Sequence, residues 1–179
     1  MKPEALHDII LRTNDVVGDW YGAPNCCIFG AAVLLDVLHA RGYTTARPVR
    51  IEAAARDTTG GWTILGARGD GSRQPAASPG HWRGHMGVIV DGVLLDPTLD
   101  QISGQLPFSG SYDEEWEHAW YAVDSTGEAR QVWTTYPGEG VYRVRYVLIR
   151  DREGWAGAPD WRRKRERQSV TRLVLSGLA

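Results

Sequence analysis

Cys26 and Cys27 are adjacent, and they are the two cysteines of the 179-residue chain. They fall where a polar loop, Gly22-Ala23-Pro24-Asn25, gives way to the apolar run Ile28-Phe29-Gly30-Ala31-Ala32-Val33-Leu34-Leu35. A thiol at a helix start feels the positive end of the helix dipole, which favours the nucleophilic thiolate. Neighbouring cysteines form only strained disulfides. Without a Cys-x-x-Cys pair they do not make a structural zinc site. The chemistry open to them is nucleophilic attack by a free thiol; the alternative is that each is a small buried hydrophobe.

Such a thiol needs a base. Gly84-His85-Met86-Gly87-Val88-Ile89-Val90 and Val93-Leu94-Leu95-Asp96-Pro97-Thr98 are two apolar runs joined by Asp91-Gly92. Asp-Gly at that place predicts a two-residue hairpin turn of type I′. Val90 then pairs with Val93, and alternation puts His85, Gly87, Ile89, Leu94, Asp96 and Thr98 on one face. The other face, Met86, Val88, Val90, Val93 and Leu95, is apolar and must be core. His85 and Asp96 become diagonal neighbours, within reach of a hydrogen bond. Gly87, opposite Asp96, leaves the imidazole room to lean over. A carboxylate that fixes the tautomer of an imidazole, with the second ring nitrogen open to a thiol, is a base with its orienter. The plainer reading of His85 is a core histidine beside a turn carboxylate. His81, four residues before His85, opens a metal reading, but on an extended strand the two lie ~13 Å apart, so no metal is expected. His118 reads as a surface residue.

The elements that must position these groups follow in order. Residues 3 to 13 predict a first helix, with Pro3 in its first turn, and residues 18 to 24 a loop. Asn25 is a good N-cap for a helix from 26 to 41, and Gly42 suits the position just past its end. Cys27, Ala31, Leu34, Leu35 and Leu38 share one face of that helix, which favours Cys27 over Cys26 as the nucleophile. Residues 45 to 56 predict a strand with Pro48 at its edge or start. Residues 62 to 65 predict a short strand inside a Gly, Ser and Pro-rich stretch, of which 67 to 80 reads as a mobile loop. A second long loop covers 99 to 115. Strands at 117 to 123, 130 to 135 and 141 to 149 read as an antiparallel meander, and a final helix spans 160 to 176 with Val170, Leu173, Val174 and Leu178 docked. The expected fold class is α+β, one domain over residues 1 to 179, with the cysteine helix packed on an antiparallel sheet.

The order Cys27, His85, Asp96, the small residue Ala31 four places after the thiol, the Ala46-Arg47-Pro48-Val49 strand after Gly42-Tyr43, and the tripeptide Asp96-Pro97-Thr98 resemble the transglutaminase-like superfamily. Arylamine N-acetyltransferases share the arrangement. The resemblance covers residues 20 to 100. It implies a papain-like Cys-His-Asp triad of Cys27, His85 and Asp96, performing acyl transfer through a thioester with no cofactor. A peptide, a protein or a small amide would be the substrate, hydrolysed or deamidated. The second reading is an arylamine N-acetyltransferase-like acyltransferase, although Gly22-Ala23-Pro24-Asn25 stands where those enzymes carry an Arg-Gly-Gly lead. A third is a non-catalytic binding protein on a retired enzyme fold. The oxyanion of acyl transfer needs donors: the backbone N–H of Cys27 is one, and Tyr21 or Asn25 a candidate second. Of the eight tryptophans, Trp20, Trp62 and Trp82 are candidates to line a substrate groove, against the plainer reading that they pack.

The composition is ordinary for a globular chain, at 42% hydrophobic and 23% charged with net charge −2. That balance gives no overall bias toward nucleic acid. Arg162, Arg163, Lys164, Arg165 and Arg167 nevertheless cluster, and such a run either touches nucleic acid or an acidic partner or is the solvated face of a terminal helix. No run is apolar enough to span a bilayer, and Ile9-Ile10-Leu11 is interrupted by Arg12 and Asn14, unlike a signal peptide. The expected compartment is the cytosol.

Overall fold

The computed structural model describes residues 3–21, 26–56, 62–65, 85–98, 120–122, 134–135, 143–148 and 154–178. The long loops expected at 67 to 80 and 99 to 115 lie outside them. The elements are α1 (Pro3–Tyr21), α2 (Cys27–Ala40), β1 (Arg47–Arg56), β2 (Trp62–Leu65), β3 (His85–Val90), β4 (Val93–Leu95), β5 (Trp120–Ala122), β6 (Thr134–Thr135), β7 (Arg143–Leu148), a 3-10 turn (Gly154–Gly157), α3 (Pro159–Arg162) and α4 (Lys164–Ser176). The fold is α+β, with helices packed on an antiparallel sheet.

Helix α1 runs eight residues beyond the expected end at 13 and takes in the start of the expected loop. Its apolar stripe explains the extension: Leu6, Ile9, Ile10, Thr13 and Val17 are all buried and recur at helical spacing. Gly18 is tolerated on the exposed face. Helix α2 begins one residue later than expected, with Cys26 as the N-cap and no side-chain cap hydrogen bond; Asn25 lies outside the described residues. Its burial is not confined to one face, since Cys27 through Leu34, Val37 and Leu38 are all buried. A helix apolar on nearly every side belongs in the middle of the core. Its end is held as the sequence implies. Gly42 has φ +89°, its N–H donates to the His39 carbonyl, and the Tyr43 N–H donates to the Leu38 carbonyl, the paired bonds of a Schellman motif.

Strand β1 is the middle of the sheet, whose order is β5-β4-β3-β1-β7-β6 with β2 also on β1. Ile51 pairs with His85 on one side and Leu148 on the other. β3 covers Arg47 to Ile51, and β2 continues along the same edge from Ala53 to Arg56. Pro48 therefore sits near the start of a central strand, before β7 joins at Ile51. The hairpin has the expected register, Val90 opposite Val93, and Asp91 (φ 47°) and Gly92 (φ 79°) both take the left-handed backbone of a type I′ turn. The last strands are not a simple meander. β5 adds to the far edge of β4, while β6 pairs with β7 on the opposite side of the sheet. An unpaired edge of β4 would leave backbone groups exposed, and β5 satisfies them.

Met86, Val88, Val90 and Leu95 join α1, α2 and α4 in one apolar cluster. The opposite face is buried too: all six residues of β3 are buried, as are Ile51 and Leu94. The final helix is broken at Arg163 into α3 and α4. Val170 and Val174 dock as expected, but Leu173 is 46% exposed. The basic run is partly spent on the fold. Arg167 pairs with Asp36 of α2 at 2.7 Å, and Arg163 pairs with Asp160 and Glu166. Arg162, Lys164 and Arg165 remain exposed. Among the described residues no helix is long and apolar enough to cross a membrane.

The Gly42 geometry is directly testable. A Cβ there meets nothing within 4 Å, so Gly42→Ala introduces backbone strain alone. It should lower stability by about 1 kcal/mol in urea denaturation, with the slope unchanged.

Candidate functional site

The start of α2 and the start of β3 meet at one end of the sheet. His39, in the last turn of α2, donates a ring N–H to the Ala46 carbonyl at 3.0 Å, just before β1. That places the end of α2 beside the Arg47–Ile89 end of the β1–β3 pair, and its start toward the Ile51–His85 end.

His85 Nε2 donates to Asp96 Oδ2 at 2.8 Å, and the two side chains are 2% and 0% exposed. The Cys27 side chain is hydrogen-bonded to the same imidazole. With Nε2 on Asp96, Nδ1 is the nitrogen left for the thiol. Burial by itself would push the imidazole pKa down. The charge of Asp96 and its hydrogen bond, followed by the hydrogen bond and charge of Cys27, outweigh it and raise His85 from 6.5 to about 10. The three residues that the sequence singled out are thus brought together. Cys27 itself is only 7% exposed.

Asp96 is held by more than His85. The Thr98 backbone N–H donates to Oδ1 at 3.1 Å, and the Tyr146 hydroxyl donates to Oδ2 at 3.1 Å. A buried carboxylate needs donors on both oxygens, and here they come from a turn and two strands. The Asp96-Pro97-Thr98 turn is itself fastened to the helices. Asn14 Nδ2 of α1 donates to the Pro97 carbonyl at 2.8 Å. At Gly30 of α2 an added Cβ would lie 2.7 Å from Thr98 Cγ2, so glycine is what lets the helix approach the turn.

Tyr146, Asn14 and Gly30 escaped the sequence reading. Tyr146 had one available signal, since it alternates onto the same face of β7 as Leu148; register places that face with Ala53, Ile51 and His85. Fifty residues separate it from Asp96, and no local pattern spans that gap.

Other expectations are corrected. The space at Gly87 is not left for the imidazole. A Cβ there would meet the Leu95 carbonyl at 2.8 Å and the Leu94 and Ile51 Cδ1 atoms at 3.0 and 3.2 Å, so the glycine serves close packing. Tyr21 is engaged by the C-terminal helices. Its hydroxyl accepts from Arg163 Nη1 at 2.6 Å and its ring packs against Phe29 with centroids 4.9 Å apart, which makes it part of the helix packing. Burial, ahead of the charge of Asp160, raises its pKa. Trp20 is 48% exposed and lines a surface hollow with Arg12, Val16, Asp19 and Leu173, so it does not line a groove at the thiol. Trp62 lies in β2, paired with Arg56, and its side chain is outside the described ones. Asn25, His81, Trp82 and His118 are outside the described residues. No His, Cys, Asp and Glu cluster suited to a metal occurs among the described residues.

Comparison with known proteins adds no relative: no family model, no curated protein and no solved structure matches the chain.

The His85–Asp96 pair makes a prediction for stability. The folded protein holds the His85 proton more tightly than the unfolded chain does. The pair's contribution is therefore complete below pH 6.5 and is lost as pH rises through about 10. Urea unfolding followed across that range should show stability falling with rising pH, and His85→Gln should flatten that part of the profile.

Proposed function

We propose that this chain is a cysteine-nucleophile acyl-transfer enzyme of the transglutaminase-like, papain-like kind, with Cys27 as nucleophile, His85 as general acid and base, and Asp96 as the group that orients His85. One observation carries the reading: a single buried imidazole is bonded through Nε2 to Asp96 and hydrogen-bonded to the Cys27 side chain. The fold places that thiol at the first position of a helix.

In this mechanism the Cys27 sulfur attacks a carbonyl carbon while its proton resides on His85 Nδ1. The carbonyl oxygen takes up the negative charge, toward which the first-turn N–H groups of α2 provide a donor environment. As the tetrahedral adduct collapses, the C–N bond breaks, and His85 gives its proton to the leaving amine or ammonia. A thioester on Cys27 remains. Water then loses a proton to His85 and attacks the thioester carbon. The second adduct collapses with cleavage of the C–S bond, the carboxylic acid leaves, and the proton taken up by His85 stays there opposite the Cys27 thiolate or passes to the sulfur. Asp96 holds the ring and balances the imidazolium throughout.

Hydrolysis or deamidation of an amide stands ahead of arylamine N-acetyltransferase-like chemistry, because Gly22-Ala23-Pro24-Asn25 stands where those enzymes carry an Arg-Gly-Gly lead. A protein on a retired enzyme fold fits the burial of the thiol but not its bond to His85.

The test is the pH dependence of iodoacetamide alkylation, resolved for Cys26 and Cys27 by peptide mass spectrometry. Cys27 should react well below pH ~8.5, the ordinary thiol midpoint, and His85→Ala should slow that reaction at neutral pH by about tenfold or more. Cys26 should be unaffected. Equal, ordinary reactivity of the two thiols in both proteins would remove the catalytic reading.

A further inference from the structure

We propose that Tyr146 is a positioning residue that tunes His85 through Asp96, an inference that rests on the acyl-transfer reading above. The Tyr146 hydroxyl donates to Oδ2 of Asp96 at 3.1 Å, the same oxygen that accepts from His85 Nε2 at 2.8 Å. Tyr146 is 1% exposed, His85 1% and Asp96 0%, so water does not dilute the competition between the two donors. Each hydrogen bond to a carboxylate oxygen takes up part of its negative charge and weakens its hold on the other donor. Among the described residues, removal of the hydroxyl would leave Oδ2 to His85.

The consequence is chemical. A general acid and base works best when its pKa lies near the working pH. A buried carboxylate with few donors grips an imidazolium, and a gripped imidazolium is slow to pass its proton to a leaving amine. The hydroxyl of Tyr146 loosens that grip without removing the charge that orients the ring. Among the described residues, other ionisable groups lie on the elements around the pair. Cys27 approaches from α2, with Cys26 beside it in sequence. On β1 the cross-strand neighbour of His85 is Ile51, and Arg50 and Glu52 on either side of it alternate to the opposite face. Tyr146 stands across from Ala53 on β7.

The test follows the His85 imidazole by NMR titration in the wild type, in Tyr146→Phe and in a chain with 3-fluorotyrosine at position 146. Tyr146→Phe deletes one donor and should raise the His85 midpoint by about half a unit or more, roughly a threefold gain in proton affinity. The fluorinated ring keeps nearly the same size and is a stronger donor, so it should shift the midpoint down. A purely structural role predicts no such pair of opposite shifts. An unmoved midpoint, or shifts of the same sign, overturns the inference, and if Tyr146→Phe does not fold, the fluorotyrosine chain alone decides by the direction of its shift. Cys27 alkylation of the same samples separates the two levels. If His85→Ala leaves Cys27 unaffected, the acyl-transfer reading fails. If Cys27 depends on His85 while the Tyr146 changes leave His85 unmoved, only the tuning role fails.

Discussion

A carboxylate with no exposure to water must find all its donors inside the protein, and Asp96 imposes that constraint on every layer of this fold. Its partners are His85 at the start of β3, Tyr146 in the middle of β7 and the backbone of Thr98 in the following turn. β3 and β7 are not paired with each other, and β1 lies between them. The carboxylate therefore ties together strands on both sides of the central one. Removing one partner of a buried ion pair commonly costs about 3–5 kcal/mol, because the other charge stays buried. The elements around Asp96 are consequently placed by electrostatics as well as by apolar packing.

The helices meet the same demand from the other side. α2 is buried along almost its whole length, which fixes it against the sheet but leaves little freedom in where its first residue lies. Its start reaches the carboxylate because Gly30 admits Thr98 Cγ2, and α1 fastens the same turn through Asn14. Helix position, turn position and imidazole position are thus set by one cluster of contacts. Cys27 inherits its neighbour from that cluster. The dipole of α2 and the nearby imidazole then act on the same sulfur, one through the helix axis and the other through a hydrogen bond.

The parts of this arrangement written in local sequence could be read from it. Asp91-Gly92 dictates its hairpin because both residues tolerate a positive φ, and the hairpin carries His85 and Asp96 into range of each other with no outside help. Gly42 marks the end of α2 for the same local reason. The contributions made through tertiary packing could not be read. Tyr146 arrives from a strand whose register is fixed by β1. Asn14 looked like an interruption of an apolar patch, yet it is the donor to the Pro97 carbonyl. Tyr21 and Trp20 closely precede the thiol helix in sequence but belong to other packing, because α1 continues to Tyr21 and Arg163 donates to the tyrosine hydroxyl. At Gly87 the local pattern implies room for a ring, while close packing by Leu94, Leu95 and Ile51 fills that space.

The most direct test of the central claim is to trap the acyl group itself. The protein would be mixed with p-nitrophenyl acetate, quenched in acid and analysed by peptide mass spectrometry. Acetyl carried as a thioester on Cys27, absent from Cys26 and lost in His85→Ala, is the predicted result. Acetylation spread equally over both thiols, or independent of His85, would contradict the account and leave the His85–Asp96 pair as a device of folding alone.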